Sequence, residues 1–361
     1  MLRFGEKTAV AAGGLVVGVL AALLVLMGNP ANMGFCIACF LRDTAGALGL
    51  HSAKAVQYIR PEIIGLVLGS YVAAKVKGEF SPRGGSSPMT RFILGMFVMI
   101  GCLMFLGCPF RAILRLAGGD LNAVVGLAGF FAGIASGVFF LNRGYSLKRT
   151  YRLPAVEGHI MPAVMISLLI LLILAPPFII FSEAGAGPGA KHAGIFLSLG
   201  AGIITGIIAQ RTRLCMVGGF RDIILFQDYK LISGFAAVLA GALITNLLMT
   251  GLDIGIFFKL GFEGQPVAHN DGIWNALGMY LAGLGCILLG GCPLRQLIMA
   301  GEGNSDSCAA VMGLITGAAF AHNFKLASSS NGPTEAGQLA VIIGIAVVLA
   351  IACKNTFGKE A

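Results

Sequence analysis

Residues 101–111 read GCLMFLGCPFR, and residues 285–295 read GCILLGGCPLR. Both stretches fit the pattern G-C-x4-G-C-P-x-R, and the second follows the first by 184 residues. Another pattern, C-x5-R-D, occurs at residues 36–43 and returns 179 residues later, at residues 215–222. Two multi-residue patterns that recur in the same order at nearly the same period indicate an internal duplication.

The composition is that of a membrane protein. Hydrophobic residues make up 57% of the chain and charged residues only 11%, whereas about a quarter of a soluble domain is charged. The 53 glycines suit closely packed transmembrane helices. The net charge is +9, and the basic residues lie in short connectors. They form no basic–aromatic pattern, so no nucleic acid is expected as a partner. We predict an all-α integral membrane protein in a lipid bilayer.

Apolar runs of about 20 residues predict membrane-spanning helices. The first run is long for a signal peptide and lacks an obvious cleavage site, which predicts a retained helix. The chain contains eight to ten spans, and the ten candidate runs are 8–28, 57–76, 90–107, 120–141, 158–181, 193–210, 231–251, 273–291, 306–321 and 338–353.

The candidate spans divide into two repeats of about five, residues 1–182 and 191–361, within one integrated membrane domain. An odd number of spans per repeat inverts the second repeat relative to the first. With ten alternating spans, 17 of the 25 Lys and Arg residues fall on the N-terminal side and 8 on the other. Because positive charge stays inside, we predict cytoplasmic N- and C-termini in the cell (inner) membrane, with inverted repeats of the kind many secondary transporters have.

The G-C-P-x-R segment has the residues of an anion-binding helix start. Proline is favoured at the first helical position, which puts the preceding cysteine in the N-cap region. Free N–H groups and the helix dipole favour an anion there, and an arginine in the first turn adds a planar charged donor. A glycine before the cysteine lets a substrate approach the backbone. These candidate substrate-binding residues are Gly107, Cys108, Pro109 and Arg111 in the first copy and Gly291, Cys292, Pro293 and Arg295 in the second.

The C-x5-R-D segment contributes the candidate cysteines Cys36 and Cys215, with adjacent charges at positions 42–43 and 221–222. Neighbouring residues on a helix point apart. We therefore expect Arg42, Arg221 and the aspartates beside them each to pair with another element, such as the other motif of the same half.

The remaining cysteines are weaker candidates. Cys39 forms a C-x2-C pair with Cys36 that looks like a redox motif, but its counterpart in the second copy is Gly218. Cys102 and Cys286 precede the two G-C-P turns, where packing and lining of a pathway are equally open. The five histidines show no ligand spacing, so neither a metal site nor a cofactor is predicted.

With these paired motifs, the chain resembles the YeeE/YedE family of sulfur-transport membrane proteins over nearly its whole length, in detail the YedE branch associated with selenium. The resemblance implies an hourglass-shaped helical bundle in which re-entrant half-helices from both faces meet centrally. It implies passage of a small sulfur or selenium anion, such as thiosulfate, along central cysteines, with a cytoplasmic sulfur or selenium carrier protein as a further partner. Carried over by motif, those cysteines are Cys36, Cys108 and Cys292, with Cys215 as the symmetry-related fourth.

Two other functions remain open on the sequence. Cys36 and Cys39 could serve a membrane thiol–disulfide or sulfur-transfer enzyme, and the chain could be a structural membrane subunit. Thiols are soft, weakly hydrogen-bonding groups that suit passage rather than tight binding of a sulfur-containing anion. The duplicated motifs therefore favour a transporter or channel, not an enzyme.

Overall fold

The computed structural model describes residues 2–358. The outermost residues of the two predicted repeats, residue 1 and residues 359–361, lie outside the described residues, and so does Lys359 from the charge count. Between these limits the chain is mostly helical, which agrees with the predicted all-α membrane protein.

Fourteen α-helices occur within residues 2–358. The first seven are α1 (Leu2–Leu26), α2 (Ile37–Ala47), α3 (Pro61–Val76), α4 (Pro88–Met104), α5 (Pro109–Ala117), α6 (Asn122–Asn142) and α7 (Ala155–Leu174). The next seven are α8 (Ile195–Thr212), α9 (Met216–Phe226), α10 (Lys230–Gly251), α11 (Gly272–Leu289), α12 (Pro293–Gly301), α13 (Ser305–Asn323) and α14 (Glu335–Phe357). Two short antiparallel strands, β1 (Arg83–Gly84) and β2 (Tyr151–Arg152), join two connectors.

Eight helical stretches of the described chain are long and apolar enough to cross a membrane, at the lower end of the predicted eight to ten. The two predicted spans without such a stretch are 57–76 and 306–321. The first became α3, which has only 16 residues because Pro61 starts it. The second became α13, which opens on the polar sequence Ser305-Asp306-Ser307. Both helices pack against longer neighbours inside the bundle, α3 against α8 and α13 against α4.

Four helices have only about half of the length needed to span a bilayer. α2 and α9 have 11 residues each, and α5 and α12 have nine each. At 1.5 Å per residue they measure roughly 14–17 Å, about half of the hydrocarbon thickness of ~30 Å. Each of these half-length helices begins with one of the duplicated motifs.

Long helices from the two halves of the chain pack against one another. α1 packs on α10 and α3 on α8, while α6 packs on α11 and α4 on α13. At the centre α4 packs on α11, where a side chain at Gly101 would lie 2.4 Å from the carbonyl oxygen of Gly278. Only glycine permits that approach. It brings together the two helices that lead into the G-C-P turns.

Candidate functional site

The four half-length helices all begin at a cysteine. Cys108 and Cys292 are the N-caps of α5 and α12, and proline follows each at the first helical position, as the G-C-P pattern predicts. Cys36 and Cys215 are the N-caps of α2 and α9, which the sequence analysis did not anticipate because cysteine is not among the preferred capping residues.

The caps at Cys36 and Cys215 use the sulfur atom itself. The Cys36 Sγ accepts a hydrogen bond from the Cys39 N–H at 3.3 Å. The Cys215 Sγ accepts one from the Gly218 N–H at 3.4 Å. Each sulfur is therefore held at a helix N-terminus, in the positive part of the helix dipole.

The motif cysteines form two pairs. The side chain of Cys36 interacts with that of Cys108, and the side chain of Cys215 interacts with that of Cys292. All four side chains are buried, with exposed fractions from 0 to 6%. Each half of the chain thus brings its C-x5-R-D cysteine against its own G-C-P cysteine.

Three further cysteines extend these pairs into one buried run. Cys39 contacts the Cys36 thiol, and its own sulfur lies 3.9 Å from the Leu106 carbonyl oxygen. Cys102 on α4 and Cys286 on α11 are fully buried near the point where those helices pack together. Cys102 lies close to Cys36, Cys39 and Cys286, and Cys286 lies close to Cys215 and Cys292. The seven buried thiols therefore lie near one another in the interior of the bundle.

One end of this run borders a cavity of about 420 Å³. Cys215 lines the cavity together with the arginines Arg91, Arg213, Arg221 and Arg295. No carboxylate of the described chain is among its lining residues. Since the side chains of Arg213 and Arg221 are 44% and 39% exposed, the cavity reaches the protein surface. The four guanidinium groups of this cavity are donors of the kind that suits the oxygens of a small anion.

Arg295 is the arginine best placed to bind an anion. Its side chain is 13% exposed, and its Nη2 lies 3.5 Å from the Glu302 carboxylate. Its Nη1 is buried, and no residue in the described part of the chain accepts a hydrogen bond from it. A buried donor without an acceptor is unfavourable by about 1–3 kcal/mol, so an oxyanion that accepted this hydrogen bond would be stabilised.

Glu302 holds the arginines around the cavity in place. It accepts hydrogen bonds from Arg83 and Arg213, each at 2.8 Å, and from Gln210 at 3.2 Å. Burial raises the pKa of such a carboxyl, but the hydrogen bond and charge of Arg83, with the charges of Arg295 and Arg213, hold the pKa of Glu302 below its usual value. Glu302 is therefore ionised at neutral pH and sits just beyond the span that ends at Gly301.

The opposite end of the thiol run is closed. Arg111 is fully buried, and its guanidinium donates to four backbone carbonyl oxygens. It bonds the Leu106 oxygen within its own turn, and the oxygens of Asn32, Pro266 and Val267 at 3.3 Å each. Among the described residues Arg111, unlike Arg295, has no carboxylate partner, and it does not line the arginine cavity.

The cover over Arg111 comes from the second half of the chain. Residues 252–271 connect α10 to α11, and they reach back to the first-half motif through Pro266 and Val267. Val267 has φ +49°, which is a strained backbone conformation for a β-branched residue. His269 continues the cover with a hydrogen bond of 2.8 Å to the Met104 carbonyl oxygen. The Cys36–Cys108 pair therefore lies under a strained connector, whereas Cys215 borders an open cavity.

The motif glycines make room for the arginines. A side chain at Gly107 would lie 3.0 Å from the Arg111 Cδ, and one at Gly291 would lie 3.0 Å from the Arg295 Cβ and Cγ. The same contact in both copies explains why each G-C-P turn has glycine before its cysteine. Sequence analysis had assigned these glycines to close approach of a substrate alone.

The expectation that the adjacent charges of C-x5-R-D pair with other elements is wrong for Arg42, Arg221 and Asp222, and is confirmed for Asp43. Arg42 donates to its neighbour Asp43 at 2.7 and 2.9 Å, and Arg221 contacts Asp222 at 2.7 and 2.8 Å. The arginine side chain is long and flexible enough to fold back onto the next residue. Only Asp43 also bonds another element, through Arg60 at 2.7 Å.

Several charged residues near the motifs were missed by the sequence analysis. Arg115 is fully buried one turn beyond Arg111 and forms an ion pair of 2.6 Å with Asp120. Arg91 and Arg213 line the arginine cavity although neither belongs to a motif. The only available signal for them was a charge in or beside an apolar run, and this signal did not separate them from orienting residues in the connectors.

Comparison with known proteins supports the motif assignment. Residues 211–355 match the family described as Sulphur transport, a segment that contains the second copies of both motifs. Over 109 residues, 30% of this chain and 31% of the relative, the chain is 32% identical to the thiosulfate transporter TsuA of Spirochaeta thermophila. Over 111 residues, 30% of this chain and 29% of the relative, it is 30% identical to TsuA of Escherichia coli.

The chain thus spans about three-tenths of the length of the curated relatives that it matches. The first copies of the motifs lie outside the matched segment 211–355 but have the same order and spacing. The chain therefore has the helices of a multi-pass membrane protein, and its residues 211–355 are similar to the sulphur transport family, in agreement with the resemblance that its paired motifs predict.

Proposed function

We propose that this protein moves a small sulfur- or selenium-containing inorganic anion, such as thiosulfate, across the cell (inner) membrane along its buried cysteines. The observation that carries the proposal is the run of seven thiols that ends at the arginine cavity. The name of the two relatives supports a sulfur anion as the cargo.

The two ends of such an anion need different partners. Guanidinium groups and helix N-termini stabilise the charged oxygens, and in the cavity Arg295 supplies an unpartnered donor. Thiols meet a terminal sulfur or selenium atom with weak S–H contacts. Binding that is weak and repeated at several sites allows an ion to leave each site as readily as it enters. A line of thiols is therefore suited to passage.

The helix order supports two inverted repeats, residues 1–182 and 191–361, whose half-length helices enter from opposite faces. In this arrangement α2 and α5 enter from outside, and α9 and α12 enter from the cytoplasm, where both termini lie. The open arginine cavity is then cytoplasmic, and the connector 252–271 closes the outer end. A cytoplasmic sulfur or selenium carrier protein would meet the anion at that cavity.

The burial of Cys36 and Cys39 disfavours the alternative thiol–disulfide enzyme. Catalytic redox cysteines are partly exposed, because a partner sulfur must reach them. Both side chains are 0% exposed and lie under the connector that covers Arg111. We therefore propose that the protein is a transporter and not an enzyme.

Uptake measurements test the proposal. Cells that lack their own importers would express the full chain and be given labelled thiosulfate, selenite or sulfate. We expect cells that express the protein to take up at least one sulfur or selenium anion faster than empty-vector cells do. Uptake equal to that of empty-vector cells for the whole panel would refute the proposed function.

A further inference from the structure

Glu62 is a fully buried carboxyl group that has no cationic partner in the part of the chain that the structure describes. It is the second residue of α3, and its side chain is 0% exposed. None of the ion pairs formed by residues 5–358 includes Glu62. It lies away from the thiol run and belongs to neither duplicated motif.

The two oxygens of Glu62 have different surroundings. Oε1 accepts hydrogen bonds from the Asn29 Nδ2 at 2.8 Å and from the Ser198 hydroxyl at 2.9 Å. Oε2 is buried, and within the described chain it has no hydrogen-bond partner. Oε1 is therefore fixed by two hydrogen bonds, whereas Oε2 receives none from the described residues.

The titratable and charged groups around Glu62 do not neutralise it. Arg60 is two residues away, but its guanidinium is used by Asp43 and by the carbonyl oxygens of Pro188 and Lys191. Tyr58 lies near Glu62, and its hydroxyl has no partner among the described residues.

The ring of Tyr58 stacks at 4.0 Å on the exposed His192. From α8 and from the connector after α1, the groups that face Glu62 are the uncharged side chains of Ser198 and Asn29. The Tyr58 ring also lies 5.2 Å from the guanidinium of Arg60, whose charge is paired with Asp43.

We infer that Glu62 is a proton-binding site whose occupancy is coupled to the anion in the arginine cavity. A buried carboxylate with an unbonded oxygen and no counter-charge among the described residues is unfavourable, whereas a neutral carboxyl carries no buried charge and leaves one O–H donor unmatched.

Two helices connect Glu62 to the cavity. α3 runs from Glu62 to Ser70, whose hydroxyl donates to the Ile298 carbonyl oxygen of α12 at 3.2 Å. α8 runs from Ser198 to Gln210 and onward to Arg213, and both of these residues bond Glu302. Glu62 therefore fixes the far ends of the two helices that support Arg295. The coupling rests on the proposed transport function, but the proton site does not.

Infrared spectroscopy of the purified full-length protein tests the proton site. The difference spectrum between acidic and alkaline buffer should contain a protonated-carboxyl band that is lost in Glu62→Gln and kept in Glu183→Gln, an exposed control. Ser198→Ala, which removes one hydrogen bond from Oε1, should shift the same band and serves if Glu62→Gln does not fold. A spectrum in which neither variant changes any carboxyl band overturns the inference.

Proteoliposomes loaded with a pH gradient test the coupling, with thiosulfate as the probe. If one proton moves with each anion, every unit of pH gradient changes the limiting accumulation ratio about tenfold. Glu62→Gln should abolish this dependence and keep downhill flux. Unchanged dependence in Glu62→Gln, or dependence on a sodium gradient instead, overturns the coupling. If no sulfur or selenium anion moves but the infrared band titrates, the proposed function fails and the proton site stands.

Discussion

The side chains of Cys215 and Cys292 interact with each other although they cap two different half-length helices. Cys36 and Cys108 repeat this contact in the other half of the chain. The contact joins the two duplicated motifs of each half into one unit. All four motif cysteines therefore lie at helix N-termini in the interior of the bundle.

Replacing Cys292 by alanine should abolish anion uptake. The change removes a thiol from the run at the point where the run meets Cys215 and the arginine cavity. Cells would express Cys292→Ala or Cys108→Ala at the level of the wild type, and uptake of labelled thiosulfate would be measured. Cys353→Ala is the matched control, because Cys353 is exposed on α14 and outside the run. Full uptake by both Cys292→Ala and Cys108→Ala would contradict the pathway.

Replacing Arg295 by glutamine should weaken anion binding in the cavity. A hydrogen bond to a charged group contributes about 1.5–3 kcal/mol, so we expect a loss of roughly 10- to 150-fold in affinity. Calorimetric titration of the purified protein with thiosulfate would measure it. Arg211→Gln should leave the affinity unchanged, because Arg211 pairs with Glu79 and does not line the cavity. If Arg295→Gln and Arg211→Gln lost the same affinity for thiosulfate, the loss would come from the lower net charge and not from a hydrogen bond to Arg295.

Replacing Gly291 by alanine should displace Arg295 without removing any charge. The added Cβ lies 3.0 Å from the Arg295 side chain, and a side chain forced off its rotamer loses about 0.5–1.5 kcal/mol. The thiosulfate affinity should fall roughly two- to tenfold, again by titration. At Gly200 an added Cβ meets no atom within 4 Å, so Gly200→Ala should bind as the wild type does. Normal affinity in Gly291→Ala would show that Arg295 is not held by this contact.

Replacing Glu302 by glutamine should lower thermal stability at neutral pH. The pKa of Glu302 is held below its usual value in the folded protein. Its stabilisation is therefore present above the pKa of the unfolded chain and lost as pH falls through the folded pKa. The Tm difference between wild type and Glu302→Gln should thus be largest near neutral pH and shrink in acid. A Tm difference that grows in acid would contradict the assignment.

Replacing Cys39 by serine should leave most of the uptake intact. Cys39 has no counterpart in the second copy, where the position is Gly218, and the repeated thiol pairs do not require it. The same uptake measurement would be made beside Cys108→Ala. Complete loss of uptake in Cys39→Ser alone would favour the thiol–disulfide enzyme that the C-x2-C spacing predicts.

The sequence predicted the membrane class, eight of the described spans and the N-cap positions of Cys108 and Cys292. These features depend on apolar run length and on proline at the first helical position, both of which are local. The sequence could not predict that Arg42 folds back on Asp43, because such a contact depends on side-chain conformation.

The sequence also could not predict that a connector covers Arg111, or that Glu62 is buried against α8. Arg111 is covered by Pro266 and Val267, 155 and 156 residues further along the chain. Glu62 bonds Ser198, 136 residues away. Contacts of this separation arise from the packing of whole helices, and a single sequence holds no pattern for them.

The most direct measurement for the proposed pathway is a structure of the protein with thiosulfate bound. We expect the thiosulfate ion to lie beside Cys215 and Cys292, with its terminal sulfur against the thiols and its oxygens toward Arg295. An ion bound elsewhere, away from every cysteine of the run, or one whose oxygens face the thiols, would contradict the account.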